Sequence, residues 1–187
     1  MRNLGKSGLA TLCAACAAAP GALLLLPDPG GALHAPLEVE GAASVLIFTT
    51  TDCPIANGYA PEIRSIAAAY AARGVAFWLV HVDPDASAEA ARRHAAEYAL
   101  PGTILLDRRH ALVRELGVEV TPEACLLDAK GRVRYQGRID DRYADFGKQR
   151  PEPTVHDLRA ALDAVLAGGA VAEPRTRAVG CYVPEVP

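Results

Sequence analysis

Between Ser44 and Asp157 the sequence alternates short β-rich runs with longer stretches of helical periodicity, and this alternation limits the chain to an α/β architecture. The β-rich runs are Val45 to Thr50, Val75 to Val82, Thr103 to Leu106, Ala124 to Leu127 and Arg132 to Arg138. Strands separated by helices predict a central mixed sheet flanked by helices. Asp128, Ala129, Lys130 and Gly131 form a turn, which makes the last two runs an antiparallel hairpin. A length of 187 residues suits one such domain with appendages and is too short for two ordinary ones.

The helical stretches have readable ends. Pro54 is suited to a first helical position, so a helix opens at Cys53 and Pro54. Ile55, Tyr59, Ile63, Ile66 and Tyr70 then make one apolar stripe, and Gly74 ends the unit. A second helix spans about Ala88 to Tyr98 with Ser87 as its cap, and a third, Arg109 to Leu116, is closed by Gly117. Asp140 to Pro153 is polar and proline-bearing and reads as a long loop. Its charges, with Arg138, Asp140, Asp141, Arg142 and Asp145, form a solvated face or frame a substrate entrance. Thr154 and Asp157 have capping-box spacing ahead of a last helix from Val155 to Ala167.

The two ends differ from this body. Arg2 and Lys6 precede an apolar stretch from Leu9 to Leu26, and small residues follow at Gly30, Gly31 and Ala32. That order reads as a secretory signal over residues 1–32, with the folded domain at 36–168. A membrane is involved only where the segment stays uncleaved as an anchor. Residues 169–187 are an extended tail carrying Cys181 and three prolines, Pro174, Pro184 and Pro187. The formal net charge of −3 is spread along the chain with no long basic run, which argues against nucleic acid as a partner.

Five cysteines are present. Cys13 and Cys16 spell a Cys-x-x-Cys pair, but they lie inside the apolar leader with no strand before them and are read as a decoy. An exported chain keeps Cys53, Cys125 and Cys181, an odd number, so at least one thiol is free or shared with a partner. Cys53 is the sharpest feature, because a cysteine between a strand and a helix N-terminus faces unpaired backbone N–H groups that favour thiolate, while Asp52 opposes them. The alternative is a buried, inert cysteine. Cys125, inside an apolar strand, reads as core filler. Cys181, in the apolar run Ala178 to Val183, reads as a docking point of the tail on the domain, and if that docking is near Cys53 it can serve as a resolving thiol. His81, His94, His110 and His156 read as solvated polar residues with no metal-ligand spacing to Cys53.

From Ser44 to Gly168 the sequence resembles the thioredoxin superfamily, in its redoxin branch of peroxiredoxin-like and thiol-disulfide oxidoreductase-like proteins. Cys53 stands where the family's attacking cysteine stands, after a strand and at the opening of a helix. Pro61, eight residues on, matches the proline that kinks the active-site helix, and Gly117 to Glu123 resembles the segment that holds the family's cis-proline, here Pro122. The resemblance implies a thioredoxin-like fold and a thiol-disulfide oxidoreductase, which the leader places outside the cytoplasm, in the periplasm or beyond. Cys53 is then the nucleophile and Pro122 the substrate-side proline, and the tail's Cys181 is the candidate resolver in place of the family's local cysteine. Its partners are a thiol or disulfide protein and an external electron donor, and no cofactor or metal is required.

Departures from the pattern carry information of their own. Ala56 stands where thioredoxins have their second cysteine. Thr50 matches the threonine with which peroxiredoxins polarise peroxide, whereas Leu46 and Pro122 stand where those enzymes have a proline and an arginine. An antioxidant peroxidase is therefore the second reading. A third is a metallochaperone or redox-inert binding module that uses Pro122 and the long loop as its docking surface.

Overall fold

A computed structural model describes residues 23–186. Its elements, in chain order, are β1 (Leu26–Pro27), β2 (Leu33–His34), β3 (Ala43–Thr49), α1 (Pro54–Gly58), α2 (Ala60–Ala71), β4 (Val75–His81), α3 (Ala88–Glu97) and β5 (Thr103–Leu106). There follow α4 (Ala111–Leu116), β6 (Val120–Thr121), β7 (Glu123–Asp128), β8 (Val133–Gly137), β9 (Tyr143–Asp145), β10 (Lys148–Gln149), α5 (Asp157–Leu166) and β11 (Cys181–Tyr182).

The main sheet has the order β5-β4-β3-β7-β8. β4 and β5 run parallel to β3, whereas β7 is antiparallel to it and β8 antiparallel to β7, so the sheet is mixed. β3 lies in the middle and is buried at every residue, which is why its sequence is nearly all apolar rather than alternating. Its side chains still divide between two cores. Val45 and Ile47 pack with Ile63, Ile66, Leu158 and Leu162 of α2 and α5, and Leu46 and Phe48 pack with Leu105, Leu112 and Cys125 on the opposite face. Helix-bearing crossovers on parallel strands and two covered faces make this the thioredoxin-like architecture expected from the sequence.

Local differences from the expected elements have specific causes. The single helix after Cys53 is two, α1 and α2, separated at Tyr59. Pro61 sits in the first turn of α2, where its missing N–H leaves no broken bond. α4 starts at Ala111 rather than Arg109, because Asp107 supplies the cap from a distance: its carboxylate accepts the N–H groups of Ala111, Leu112 and Val113 at 2.7–3.0 Å. α5 starts at Asp157, not Val155, and Thr154 does not cap it. The Thr154 hydroxyl instead donates to Asp141 at 2.6 Å, and Asp157 holds Arg138 through two hydrogen bonds. The expected loop over 140–153 contains the β9–β10 hairpin. Asp140 and Asp141 are buried, which corrects the expectation of a solvated charged face.

The expected leader boundary at residue 32 falls inside structure. β1 pairs with β2, Leu26 lies buried in the Phe48 core, and the Arg92 side chain donates to the Pro29 carbonyl. Cys13 and Cys16 lie outside the described residues. No helix among the described residues is long and apolar enough to cross a membrane.

Three of the four histidines expected in solvent are buried, and only His156 is exposed. His81 is fully buried, neither ring nitrogen has a partner, and its ring meets that of His94 edge-on at 5.2 Å. Burial first, and His94 second, push the His81 pKa down to about 3. The unfolded chain takes up a proton near the ordinary value of about 6.5 that the folded chain refuses. This contribution is therefore intact above that value and is lost as the pH falls towards about 3. We expect His81→Phe to gain on the parent protein by about 3 °C or more in melting temperature between about pH 7 and about pH 4. Parallel melting curves, in which the carboxylates common to both proteins cancel, measure it; a constant difference would refute it.

Candidate active site

Cys53 lies at the junction of β3 and α1, where the expected strand, cysteine and proline fall together. It is the N-cap of α1, and the Ala56 N–H donates to its sulfur at 3.4 Å. The thiol donates to the carbonyl of Thr121 at 3.0 Å, across 68 residues of sequence. Thr121 is the last residue of β6, and the Thr121–Pro122 peptide is cis. Cys53 is only 1% exposed.

The turn that carries Cys53 is tied from behind. Asn57 on α1 donates to the Thr51 carbonyl at 3.2 Å and shares a 2.7 Å hydrogen bond with His94 of α3. On the other side, Tyr59 donates to the buried Asp140 carboxylate at 2.7 Å and packs on Tyr143 with ring centroids 5.1 Å apart. Burial and then Asp140 raise the Tyr59 pKa, so the phenol stays protonated. Asn57, His94 and Tyr59 have no signal in the sequence as site residues, and Asp140 has only its place in the charged loop. Their partners lie 6, 37 and 81 positions apart and no short motif links them.

The tail reaches this site. β11 pairs antiparallel with β6, Cys181 opposite Thr121 and Tyr182 opposite Val120. Cys181 thus stands against the residue whose carbonyl holds the Cys53 thiol, and it packs on the core cluster that contains Cys53. Burial, then the neighbouring Cys53, then Asp52 push the Cys181 thiol up to about 12. All three cysteines of the described chain are free thiols. Cys125 is fully buried in β7, where desolvation raises it to about 12 as well.

The other expected site residues are placed as follows. Pro122 adjoins Thr121, directly beside Cys53. Thr50 is buried just after β3, and the hydrogen-bond partners of the Cys53 sulfur among the described residues are the Thr121 carbonyl and the Ala56 N–H, not the Thr50 hydroxyl. Leu46 points into the opposite core from Cys53. One group of potential metal ligands occurs among the described residues: Glu62, Asp140 and His156, with ligand atoms within 4.8 Å of one another. It includes neither cysteine of the site. Arg159 already pairs with Glu62 at 2.7 Å and supplies the cationic charge there.

This geometry defines a thioredoxin-fold protein with one cysteine at the helix N-cap, a cis-proline beside it and a second cysteine delivered by the tail. The chain belongs to the Redoxin family, whose model matches residues 17–149. No functionally curated protein matches the sequence. Among solved structures it is similar to a hypothetical protein from Sinorhizobium meliloti, at 28% identity over 86% of this chain and 89% of that one, with a TM-score of 0.74. It is similar also to an uncharacterized conserved protein from Geobacillus kaustophilus, at 25% identity over 87% and 88%, TM-score 0.74. A secreted Mycobacterium tuberculosis disulfide oxidoreductase, homologous to E. coli DsbE, shares the fold at 22% identity over 78% and 96%, TM-score 0.55.

The local field at Cys181 has a direct readout. Its alkylation, followed on the Cys181 peptide by mass spectrometry so that the other thiols do not contribute, is expected to set in well above the value of about 8.5 typical of a free cysteine. Cys53→Ser should lower the midpoint only partway, because burial, the largest cause, remains. A midpoint at the ordinary value in the parent protein would contradict the packing described.

Proposed function

We propose that the chain is an exported thiol-disulfide oxidoreductase in which Cys53 is the nucleophile and Cys181 the resolving thiol. The observation that carries this reading is the pairing of Cys181 with Thr121, the residue that also holds the Cys53 thiol. The cycle has two exchange steps. Cys53 thiolate attacks one sulfur of a partner disulfide, a mixed disulfide forms, and the partner's other sulfur leaves as thiolate. Cys181 thiolate then attacks the Cys53 sulfur, a Cys53–Cys181 disulfide forms, and the partner leaves fully reduced. The partner gains two electrons and the dithiol loses them; an external dithiol donor restores the reduced form.

The order of attack follows from the environment of Cys181. As a thiol pushed up by burial and by Cys53, it is the poorer nucleophile in the reduced protein. Once the Cys53 sulfur is bound in a mixed disulfide, the contributions of Cys53 to that shift vanish, and Cys181 ionises more readily at the moment it is needed.

Oxidation should yield a Cys53–Cys181 peptide in non-reducing mass spectrometry. Cys181→Ser should accumulate Cys53 as a mixed disulfide with its partner or with a small thiol, and Cys53→Ser should accumulate nothing. Exchange at the parental rate in Cys181→Ser, with no Cys53–Cys181 peptide from the parent, would reduce Cys53 to a monothiol and end the resolving role. Turnover of hydrogen peroxide is expected to be far below that of an ordinary peroxiredoxin, since Leu46 and Pro122 replace two of its polarising groups and the Thr50 hydroxyl is not among the hydrogen-bond partners of the Cys53 sulfur. Brisk steady-state peroxide reduction that disappears in Cys53→Ser would favour the peroxidase reading.

Export rests on the basic, apolar and small-residue order of the N-terminus. Because Leu26 is part of the folded core, the mature chain should begin upstream of it rather than at Leu33. N-terminal sequencing of the protein expressed with its leader decides this; soluble cytoplasmic material that begins at Met1 would rule export out.

A further inference from the structure

The backbone strip beside Pro122 is occupied by the chain's own tail. Besides the two β6–β11 pairs, the Val183 N–H continues the ladder to the Glu119 carbonyl at 3.0 Å. β6 and β11 form a ribbon of two strands, separate from the main sheet. A ribbon this short has little stability alone, so its seating depends on two close approaches. The tail first runs along β8, exchanging backbone hydrogen bonds with Gln136 through Pro174 and Thr176 at 3.0 and 3.1 Å. There Gly137 (φ 150°) is required, because a Cβ would fall on Thr176. The tail then crosses to β6, where a Cβ on Gly180 would fall on the Thr121 carbonyl.

Two consequences bear on access. Val179 and Cys181 of the tail cover the cluster that contains Cys53, and Cys53 is 1% exposed. A partner disulfide therefore cannot reach the sulfur while β11 is seated. The outer side of the ribbon, by contrast, is open: Tyr182 is 79% exposed and Phe146 58% exposed, and both line a cleft of about 340 Å³ with Glu119 and Arg177.

We propose that β11 is an internal stand-in for the partner, and that a partner segment docks by replacing it on β6. The segment that fits is extended, carries the reactive cysteine opposite Thr121, and has glycine immediately before it, because any Cβ in that register meets the Thr121 carbonyl. The residue after the cysteine lies in the open cleft and is free to be large. For the partner's reactive group the proposal rests on the exchange reading above. Tail and partner compete for one strip, so Cys181 reaches the mixed disulfide only as β11 returns. The return forms the Cys53–Cys181 bond, expels the partner as thiolate and fastens the strip shut until the external dithiol donor reduces that bond.

The test begins with alkylation of the reduced protein by iodoacetamide, followed by peptide mass spectrometry of Cys53 and Cys125. Gly180→Val should unseat β11 and raise the Cys53 rate by about tenfold or more, by local opening. Cys125, buried in the main sheet, should stay unmodified in both proteins. If Cys125 reacts, Gly180→Val has unfolded, and Thr176→Ala, which removes only the hydroxyl contacts of the tail to Tyr135 and Arg138, takes its place with a smaller increase expected. In a second assay, Cys181→Ser receives two peptides as mixed disulfides with a chromogenic thiol, one reading Val-Gly-Cys-Tyr and one Val-Val-Cys-Tyr. The glycine peptide should react about tenfold faster.

Equal Cys53 alkylation in parent and variant, or equal rates for the two peptides, overturns the proposal even if a Cys53–Cys181 disulfide forms. If both results hold and no such disulfide forms, the docking strip stands and the exchange cycle alone falls.

Discussion

The backbone of Thr121 is the point on which the site is built. Its carbonyl accepts the Cys53 thiol, its strand position receives Cys181, and its peptide to Pro122 is cis. One residue therefore brings together a helix N-cap, the start of the central hairpin and the end of the chain. None of these three segments is near another in sequence, and each is held there by a different part of the fold. β3 delivers Cys53, β7 anchors Pro122 from the next strand of the sheet, and the bonds between the tail and β8 deliver β11.

That arrangement explains why the cysteine pair is split. With Ala56 buried on α1, the helix provides no second sulfur, and the thiol that the fold brings to Thr121 beside Cys53 is Cys181, more than a hundred residues further on. A cysteine on a tail differs physically from one on a helix. Its strand is held by few backbone bonds, so in the proposed cycle access to Cys53 and completion of the exchange are governed by the same movement. The exposed Tyr182 and the buried Cys53 sit on opposite sides of a ribbon only two residue pairs long.

Buried polar groups around the site have structural partners or structural costs. Asp140 receives Tyr59, Asp141 receives Thr154 and the backbone of Val155, and Asp157 receives Arg138. These bonds fix the segment between β8 and α5 that carries Tyr143 against Tyr59. His81 has no such partner and remains neutral through burial.

Legible in the sequence are the five strands of the main sheet, the helices between them along the chain, Cys53 at a helix start and Pro122 before the hairpin. These are local properties: apolar runs of β-branched residues, turn chemistry at Asp128 to Gly131, and a proline in the first helical turn are each read within a few residues. The tail's docking was legible in part, since an apolar run around Cys181 has no use in solvent. Its register was not, because it depends on Gly180 and Gly137 meeting backbones of distant strands. Burial of the Asp140 and Asp141 carboxylates and of three histidines is invisible in the sequence, as polarity predicts solvent only where no distant partner or packed helix removes it. Those placements are settled by packing. They arise from pairings across 13 to 81 residues, and the hydrogen bonds and desolvation that set them exist once the sheet and helices have packed, not before.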